Sequence, residues 1–394
     1  MGAVGLGVTL TIGIVAGEAS GDRLGAGLMR ALAGRIAGVR FVGVGGEAMR
    51  SAGLEPLADM AALAVNGFTE PLIKLPGLTR LLFGLRRRLL AERPAAFIGV
   101  DFNVFNLLLE GQLKRSGVPT VHYVSPSVYA WRRGRVRRIG RSADLLLALF
   151  PFEPAYYDGT GLKVAFVGHP LADAIGLDDG GEASRRAARA ALGIGGEARV
   201  IALLPGSRSG EIKQHLDLFL AAAALLAERL DSTTFLIPCV RPDFVPLIER
   251  AAEALPELDI RICQDDARQA LTACDGAIAK SGTGTLEAML LRRPMVVAYR
   301  LGAASHALAR LLVRTDYVAL PNLLAGRELV PERLQGQATA EKLADALLDE
   351  LDKPALLAET QQAFSMLHLE LRRDANERAA DAVMELLGDA PHPK

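Results

Sequence analysis

The chain has 394 residues, half of them hydrophobic, with basic and acidic side chains balanced at 45 each. That length allows two domains of ordinary size, and a net charge of zero gives no general attraction to nucleic acid. Cys239, Cys263 and Cys274 are far apart and make no C-x-x-C, which fits a reducing cytoplasm and argues against a zinc site or a disulfide framework.

The start, "MGAVGLGVTLTIGIVAGEASGD", lacks the basic leader of a signal peptide and runs into a polar loop, so it reads as a first buried strand. "VTLTIGIVAG", "RFVGVGG", "AAFIGVD", "TVHYVSP" and "DLLLALF" read as strands in the first half. "RVIALLPGS", "TTFLIPC", "DIRICQ", "GAIAKSG" and "MVVAYR" read as strands in the second. Helical spacing lies between them, as in "DRLGAGLMRALAGRI" and "LDLFLAAAALLAERL". Such alternation predicts parallel sheets covered by helices. The polar, Gly-bearing stretch Gly176–Val200 marks a domain boundary. From about Ala340 onward the pattern is helical only. The expected class is α/β, with two Rossmann-like doubly wound domains, a cleft between them and a C-terminal helical segment. Ligands of such sheets sit beyond the carboxyl ends of the strands.

The loops at those ends carry the candidate chemistry. "IVAGEASGD" offers Glu18, Ser20 and Asp22 among glycines that include Gly21. "GVGGEA", Gly43–Ala48, matches G-x-G-x-x-A but does not follow the first strand, so a dinucleotide fingerprint is discounted. Asp101 ends a predicted strand and has two readings, a cap for the next helix or a general base. His122 ends another strand and precedes Trp131 and a run of arginines from Arg132 to Arg141. That run is either a solvated face or a phosphate-seeking one.

In the second half, "LLPGSRSGE" places Ser207 and Arg208 at a strand-to-helix turn. "KSGTGTLEAML" does the same with Gly282, Thr283, Thr285 and, one turn in, Glu287. Both turns offer amides at a helix N-terminus, which suits a nucleoside diphosphate. No D-x-D pair occurs, and the histidines are scattered. No metal and no cofactor are expected.

Collected in order, these blocks resemble the lipid-A-disaccharide synthase family. "VAGEASGD", "HYVSPSVYAWR", "VGHPLAD", "LLPGSR", "SGTGTLE" and "TDYVALPNLLAGRELVPE" carry the resemblance over nearly the whole chain. It implies a twin-Rossmann (GT-B) inverting glycosyltransferase. The implied donor is UDP-2,3-diacylglucosamine and the acceptor is 2,3-diacylglucosamine 1-phosphate. The implied products are a β-1,6-linked disaccharide 1-phosphate and UDP. The family's essential aspartate and arginine correspond to Asp101 and Arg208. Members commonly read Asp-Ala-Pro-Asp-Phe-Asn where this chain has Asp101 to Asn106, so the motif's second acid is Val104 here. Expected substrate contacts are Glu18, Ser20, Gly21, His122, Ser207, Gly282, Thr283, Thr285, Glu287 and Asn322.

Residues 1–175 are expected to serve the acceptor and membrane side, and 176–363 the UDP-sugar. The tail, 364–394, is expected to contact the N-terminal domain, with a homodimer left open. The acylated substrates imply a cytoplasmic protein, peripheral on the inner face of the inner membrane. For Gly67–Pro94 two readings stand: a surface for anionic lipid, or a helix whose leucines are core. The rival functions are a UDP-sugar 2-epimerase or another UDP-sugar transferase on the same fold, and a catalytically silent binding protein.

Overall fold

The computed structural model describes residues 10–63, 70–126, 136–196, 198–239, 241–264, 267–302 and 315–389, with backbone only for 70–76. The chain divides into two compact units, residues 1–170 with 371–394, and residues 171–370.

The first unit holds a seven-stranded sheet: β1 Thr11–Ala16, β2 Arg40–Val44, β3 Leu54–Pro56, β4 Ala96–Val100, β5 Thr120–Tyr123, β6 Leu145–Ala148 and β7 Lys163–Phe166. The order is β3-β2-β1-β4-β5-β6-β7, and every pairing is parallel. The second unit holds β8 Arg199–Leu204, β9 Thr233–Cys239, β10 Asp259–Gln264, β11 Gly276–Lys280, β12 Met295–Tyr299 and β13 Glu332–Leu334. Its order is β10-β9-β8-β11-β12-β13, again all parallel. Every predicted strand is present. Each sheet starts from a central first strand, winds one way, then reverses, which is the doubly wound pattern. Because all strands run the same way, the loops after β1, β4 and β5 share one edge of the first sheet. Those after β8, β11 and β12 share one edge of the second.

Central strands are apolar throughout because both faces are covered. Ile12, Ile14, Val15, Phe97 and Ile98 are fully buried in the first unit, as are Ile201, Leu203, Ile278 and Val296 in the second. Gly43 lies inside β2, where an added Cβ would fall 1.8 Å from the Ile14 carbonyl. That glycine serves close strand approach.

Four helices of the first unit bear on the site: α1 Ala19–Ala33, α2 Glu47–Ser51, α3 Glu70–Ala91 and α4 Asn103–Lys114. Leu82, Leu85 and Leu89 of α3 are core residues, and Leu78, Leu81 and Leu90 pack against the same cluster. This corrects the reading of the α3 leucines as one lipid-facing set. Phe83 points outward, 59% exposed. On the neighbouring α4, Val104 and Leu108 are 70% and 52% exposed. No helix among the described residues is long and apolar enough to cross a membrane.

The last helix, Ala375–Asp389, packs against α1. Arg35 pairs there with Glu377 and Asp381, and Lys163 of β7 with Glu385. The returning chain enters at Leu371, whose carbonyl accepts the His169 amide at 2.9 Å. Gly168 makes this crossing possible. Its φ is +90°, and an added Cβ would lie 2.6 Å from the Leu371 oxygen. Gly159 has a similar φ of +75° but nothing within 4 Å. Alanine in the left-handed region costs roughly 1–2 kcal/mol, and only Gly168 adds a backbone clash. Gly168→Ala should therefore lower the thermal midpoint clearly more than Gly159→Ala, as scanning calorimetry would read; equal shifts would deny the crossing its structural role.

Candidate functional site

In the first unit the site is built around the turn after β4. Asp101 and Phe102 both adopt left-handed backbone, φ +48° and +46°. Each costs roughly 1–2 kcal/mol relative to ordinary conformations. Neighbours make room for the turn and hold it. An added Cβ on Gly17 would fall 2.4 Å from the Phe102 ring, and one on Gly21 would meet the Asp101 Cβ at 3.7 Å. Asn106, fully buried on α4, donates its amide to the carbonyls of Val15, Val100 and Asp101 at 3.1, 3.2 and 2.8 Å. Net contributions of about 0.5–1.5 kcal/mol per hydrogen bond are of the size needed to offset the strain.

Glu18 and Ser20 stand where α1 begins, half-buried and exposed respectively. Asp22 does different work. Its carboxylate accepts the amides of Gly46, Ala48 and Met49, at 2.8, 3.0 and 3.0 Å, and so caps α2.

His122, expected among the substrate contacts, is fully buried with both ring nitrogens engaged. Nδ1 lies 2.7 Å from Glu110 Oε1 and Nε2 lies 3.0 Å from Asn103 Oδ1. It stands in the interior beside the turn after β4. Asn103 in turn donates to Asp101 Oδ1 at 3.3 Å. Glu110 is also fully buried, and burial pushes its carboxyl above the usual carboxylate range against the opposing pull of His122.

In the second unit β8 runs into Pro205–Arg208 and then the helix Ser209–Ala227. The sequence leaves these amides open to phosphate; the structure fills two of them from within. Glu211 Oε2 accepts Ser207 N–H at 3.1 Å and Arg208 N–H at 3.4 Å. Gly206, φ +128°, admits that side chain, because a Cβ there would meet the Glu211 Cβ at 2.5 Å. An acid at the third helical position is the half of a capping box that the sequence displays. Glu211 Oε1 binds Lys280 Nζ at 2.8 Å, tying the loop after β8 to the end of β11. Burial raises the Glu211 carboxyl, but Lys280 and the backbone donors outweigh it and hold it below its ordinary value. Arg208 extends outward, 67% exposed.

After β11, Gly282 precedes the helix Thr283–Leu290. Thr283 is exposed and Glu287 is half-buried one turn in. Thr285 is fully buried and gives its hydroxyl to the Gly282 carbonyl at 2.7 Å, so it shapes the turn from inside. Asn322, expected on the nucleotide, is fully buried too. Its amide donates to Val330 O and Glu332 Oε1, both at 2.9 Å, and its carbonyl accepts Leu329 and Val330 amides. It is the frame of the "LPNLLAGRELVPE" loop and has no bonding capacity left for a ligand.

Of the arginine run, Arg137, Arg138 and Arg141 lie exposed on the helix Val136–Ser142. Trp131, Arg132, Arg133 and Arg135 lie outside the described residues. Thus Asp101, Glu18, Ser20 and Gly21 gather at one sheet edge of the first unit. Ser207, Arg208, Gly282, Thr283 and Glu287 gather at the corresponding edge of the second. Asn103, Asn106, Glu110, Glu211 and Lys280 were not singled out in the sequence. For Asn106 and Glu110 the available signal was polar residues four apart on an otherwise apolar helix face.

A family model described as lipid-A-disaccharide synthetase matches residues 12–386. The lipid-A-disaccharide synthase of Sodalis glossinidius is 48% identical over 382 residues, covering 96% of this chain and 98% of that protein. Among solved structures, Anabaena Alr3699/HepE in complex with UDP and glucose aligns at a TM-score of 0.57 and 14% identity, covering 95% of this chain and all of that one. A UDP-GlcNAc 2-epimerase from Neisseria meningitidis, bound to UDP-GlcNAc, aligns at 0.56 and 13%, covering 96% and 99%. At such identities the structures speak for the GT-B fold alone; the far closer sequence match favours the synthase over the epimerase. The chain belongs to the lipid-A-disaccharide synthetase family, glycosyltransferases of lipid A biosynthesis.

Proposed function

We propose that the chain joins UDP-2,3-diacylglucosamine to 2,3-diacylglucosamine 1-phosphate, giving the β-1,6-linked disaccharide 1-phosphate and UDP. The observation that carries this reading is the 48% identity to a lipid-A-disaccharide synthase over 96% of the chain. Inversion at the donor's C1 needs one direct displacement. Asp101 takes the proton of the acceptor's 6-hydroxyl as its oxygen attacks C1, and the C1–phosphate oxygen bond breaks. The braced turn after β4 supports this role, since a base must be held in place before the reaction. UDP departs with added negative charge. Arg208, reaching outward from the loop after β8, and the amides at the start of the helix Thr283–Leu290 would stabilise it. Ser207, Gly282 and Thr283 line the same edge, and Glu287 would accept the ribose hydroxyls. Glu18, Ser20 and Gly21 would line the acceptor side.

The acyl chains must be met at a membrane surface. Phe83, Val104 and Leu108 are exposed apolar side chains, with Arg80 and Arg87 exposed on the same helix as Phe83. Apolar insertion plus cations suits an anionic lipid surface, each basic residue adding about 1 kcal/mol near the headgroups.

Asp101→Asn preserves shape and removes the base. Turnover should fall by roughly 10²–10⁴ while UDP affinity is kept; near-normal turnover would remove Asp101 from the chemistry. Arg208→Ala and Glu287→Ala should each weaken UDP binding in calorimetric titration, and unchanged affinity in both would move the nucleotide elsewhere. Replacing Phe83, Val104 and Leu108 with Ser should cut co-sedimentation with anionic vesicles without lowering the thermal midpoint. Wild-type binding should also weaken as salt rises. Undiminished binding by the triple variant would place the lipid contact on another face.

A further inference from the structure

Behind Asp101 lies a series of polar groups, Asn103 half-buried and His122 and Glu110 fully buried, whose order is fixed by chemistry. Asp101, when ionised, only accepts hydrogen bonds, so the Asn103 group facing it at 3.3 Å is the amide N–H. The Asn103 oxygen then faces His122 Nε2 at 3.0 Å, and Nε2 must carry a hydrogen. On the other side, Glu110 Oε1 lies 2.7 Å from Nδ1. One proton sits between them. If it rests on Glu110, a neutral imidazole with Nε2–H results; if it rests on Nδ1, an imidazolium results. Both arrangements present Nε2–H to Asn103.

The fold makes specific room for this pair. Gly99 of β4 is where Glu110 enters, and an added Cβ would fall 2.1 Å from Glu110 Oε1. Glu110 Oε2 accepts no hydrogen bond among the described residues, and burial pushes the carboxyl upward, which favours the neutral acid donating to Nδ1. A buried acid and imidazole are costly ways to fasten a helix to a strand when an apolar pair would serve. Their placement against Asn103 gives them a use.

We propose that Glu110, His122 and Asn103 are positioning residues that hold the Asp101 carboxylate through a continuous run of hydrogen bonds, Glu110 to His122 to Asn103 to Asp101. The inference rests on Asp101 being the base. Among the described residues, Glu110 of α4 and His122 of β5 belong to the run itself, and the Asp22 carboxylate on α1 is turned to the α2 amides.

The decisive variant is Asn103→Asp. It removes the donor and sets a like charge beside Asp101, raising that group's proton affinity. The ionised base is then lost at a higher pH than in the wild type. Turnover should fall about 10–100-fold, the scale of a misplaced catalytic group. The KM for the UDP-sugar should hold, and the acid limb of the kcat profile should move to higher pH. Glu110→Gln can still donate an amide N–H to Nδ1 and should keep most activity, whereas Glu110→Leu should not. Should Glu110→Leu fail to fold, Asn103→Asp and Glu110→Gln decide the matter. Wild-type kcat and an unmoved acid limb in Asn103→Asp, with Asp101→Asn inactive, would overturn the positioning run alone. Activity in Asp101→Asn would overturn the base assignment beneath it.

Discussion

Three backbone carbonyls converge on one side-chain amide, that of Asn106. Two of them belong to Val15, next to last in β1, and Val100, last in β4, the adjacent central strands of the first sheet, and the third belongs to Asp101 itself. A strand that stops inside a protein leaves its last carbonyls without ladder partners, and a buried carbonyl without a partner costs about 1–3 kcal/mol. Asn106 offers a donor to carbonyls at the ends of both strands and so ties them to the turn. The turn that follows β4 can then take its left-handed course, with the bare backbone of Gly17 and Gly21 beside it. That amide fixes the Asp101 backbone together with Asp101's own N–H, which donates to the Tyr123 carbonyl at 2.8 Å.

The second unit meets the complementary need with the opposite charge. Its strand-to-helix loop after β8 presents amide hydrogens, and the carboxylate of Glu211 occupies two of them. Lys280 neutralises that carboxylate and brings a cation beside Gly282. The loop after β8 is thus held closed from within, and its outward cation is Arg208. The loop after β11 has Thr283 exposed and Glu287 half-buried. The two loops differ in what they present: a side-chain cation on one, a helix N-terminus with Thr283 and Glu287 on the other.

The fold was legible where burial dictates composition. Strands such as "TIGIVA" and "GAIAK" are covered on both faces and write themselves as apolar runs. β3, β7 and β13 went unread because they are short edge strands, half-exposed, with mixed composition. Motif residues were legible as motifs but not as roles. His122 and Asn322 stand in the most distinctive blocks of the chain, and both are fully buried members of internal hydrogen-bond frames. A sequence displays which polar residues sit in a loop; it does not display which way each points. α3 shows the same limit, since Leu82 and Phe83 are adjacent and one is buried while the other is exposed. Asn106, Glu110 and Lys280 escaped notice for a related reason. Their partners lie on other strands and helices, and only the fold brings them together.

The most direct measurement is product analysis with purified protein, UDP-2,3-diacylglucosamine and 2,3-diacylglucosamine 1-phosphate, following UDP and lipid by mass spectrometry. The account predicts stoichiometric UDP and disaccharide 1-phosphate only when both substrates are present, with a β-1,6 linkage by NMR. An epimerised UDP-sugar, UDP released from donor alone, or donor that binds and is recovered unchanged with acceptor present would contradict it.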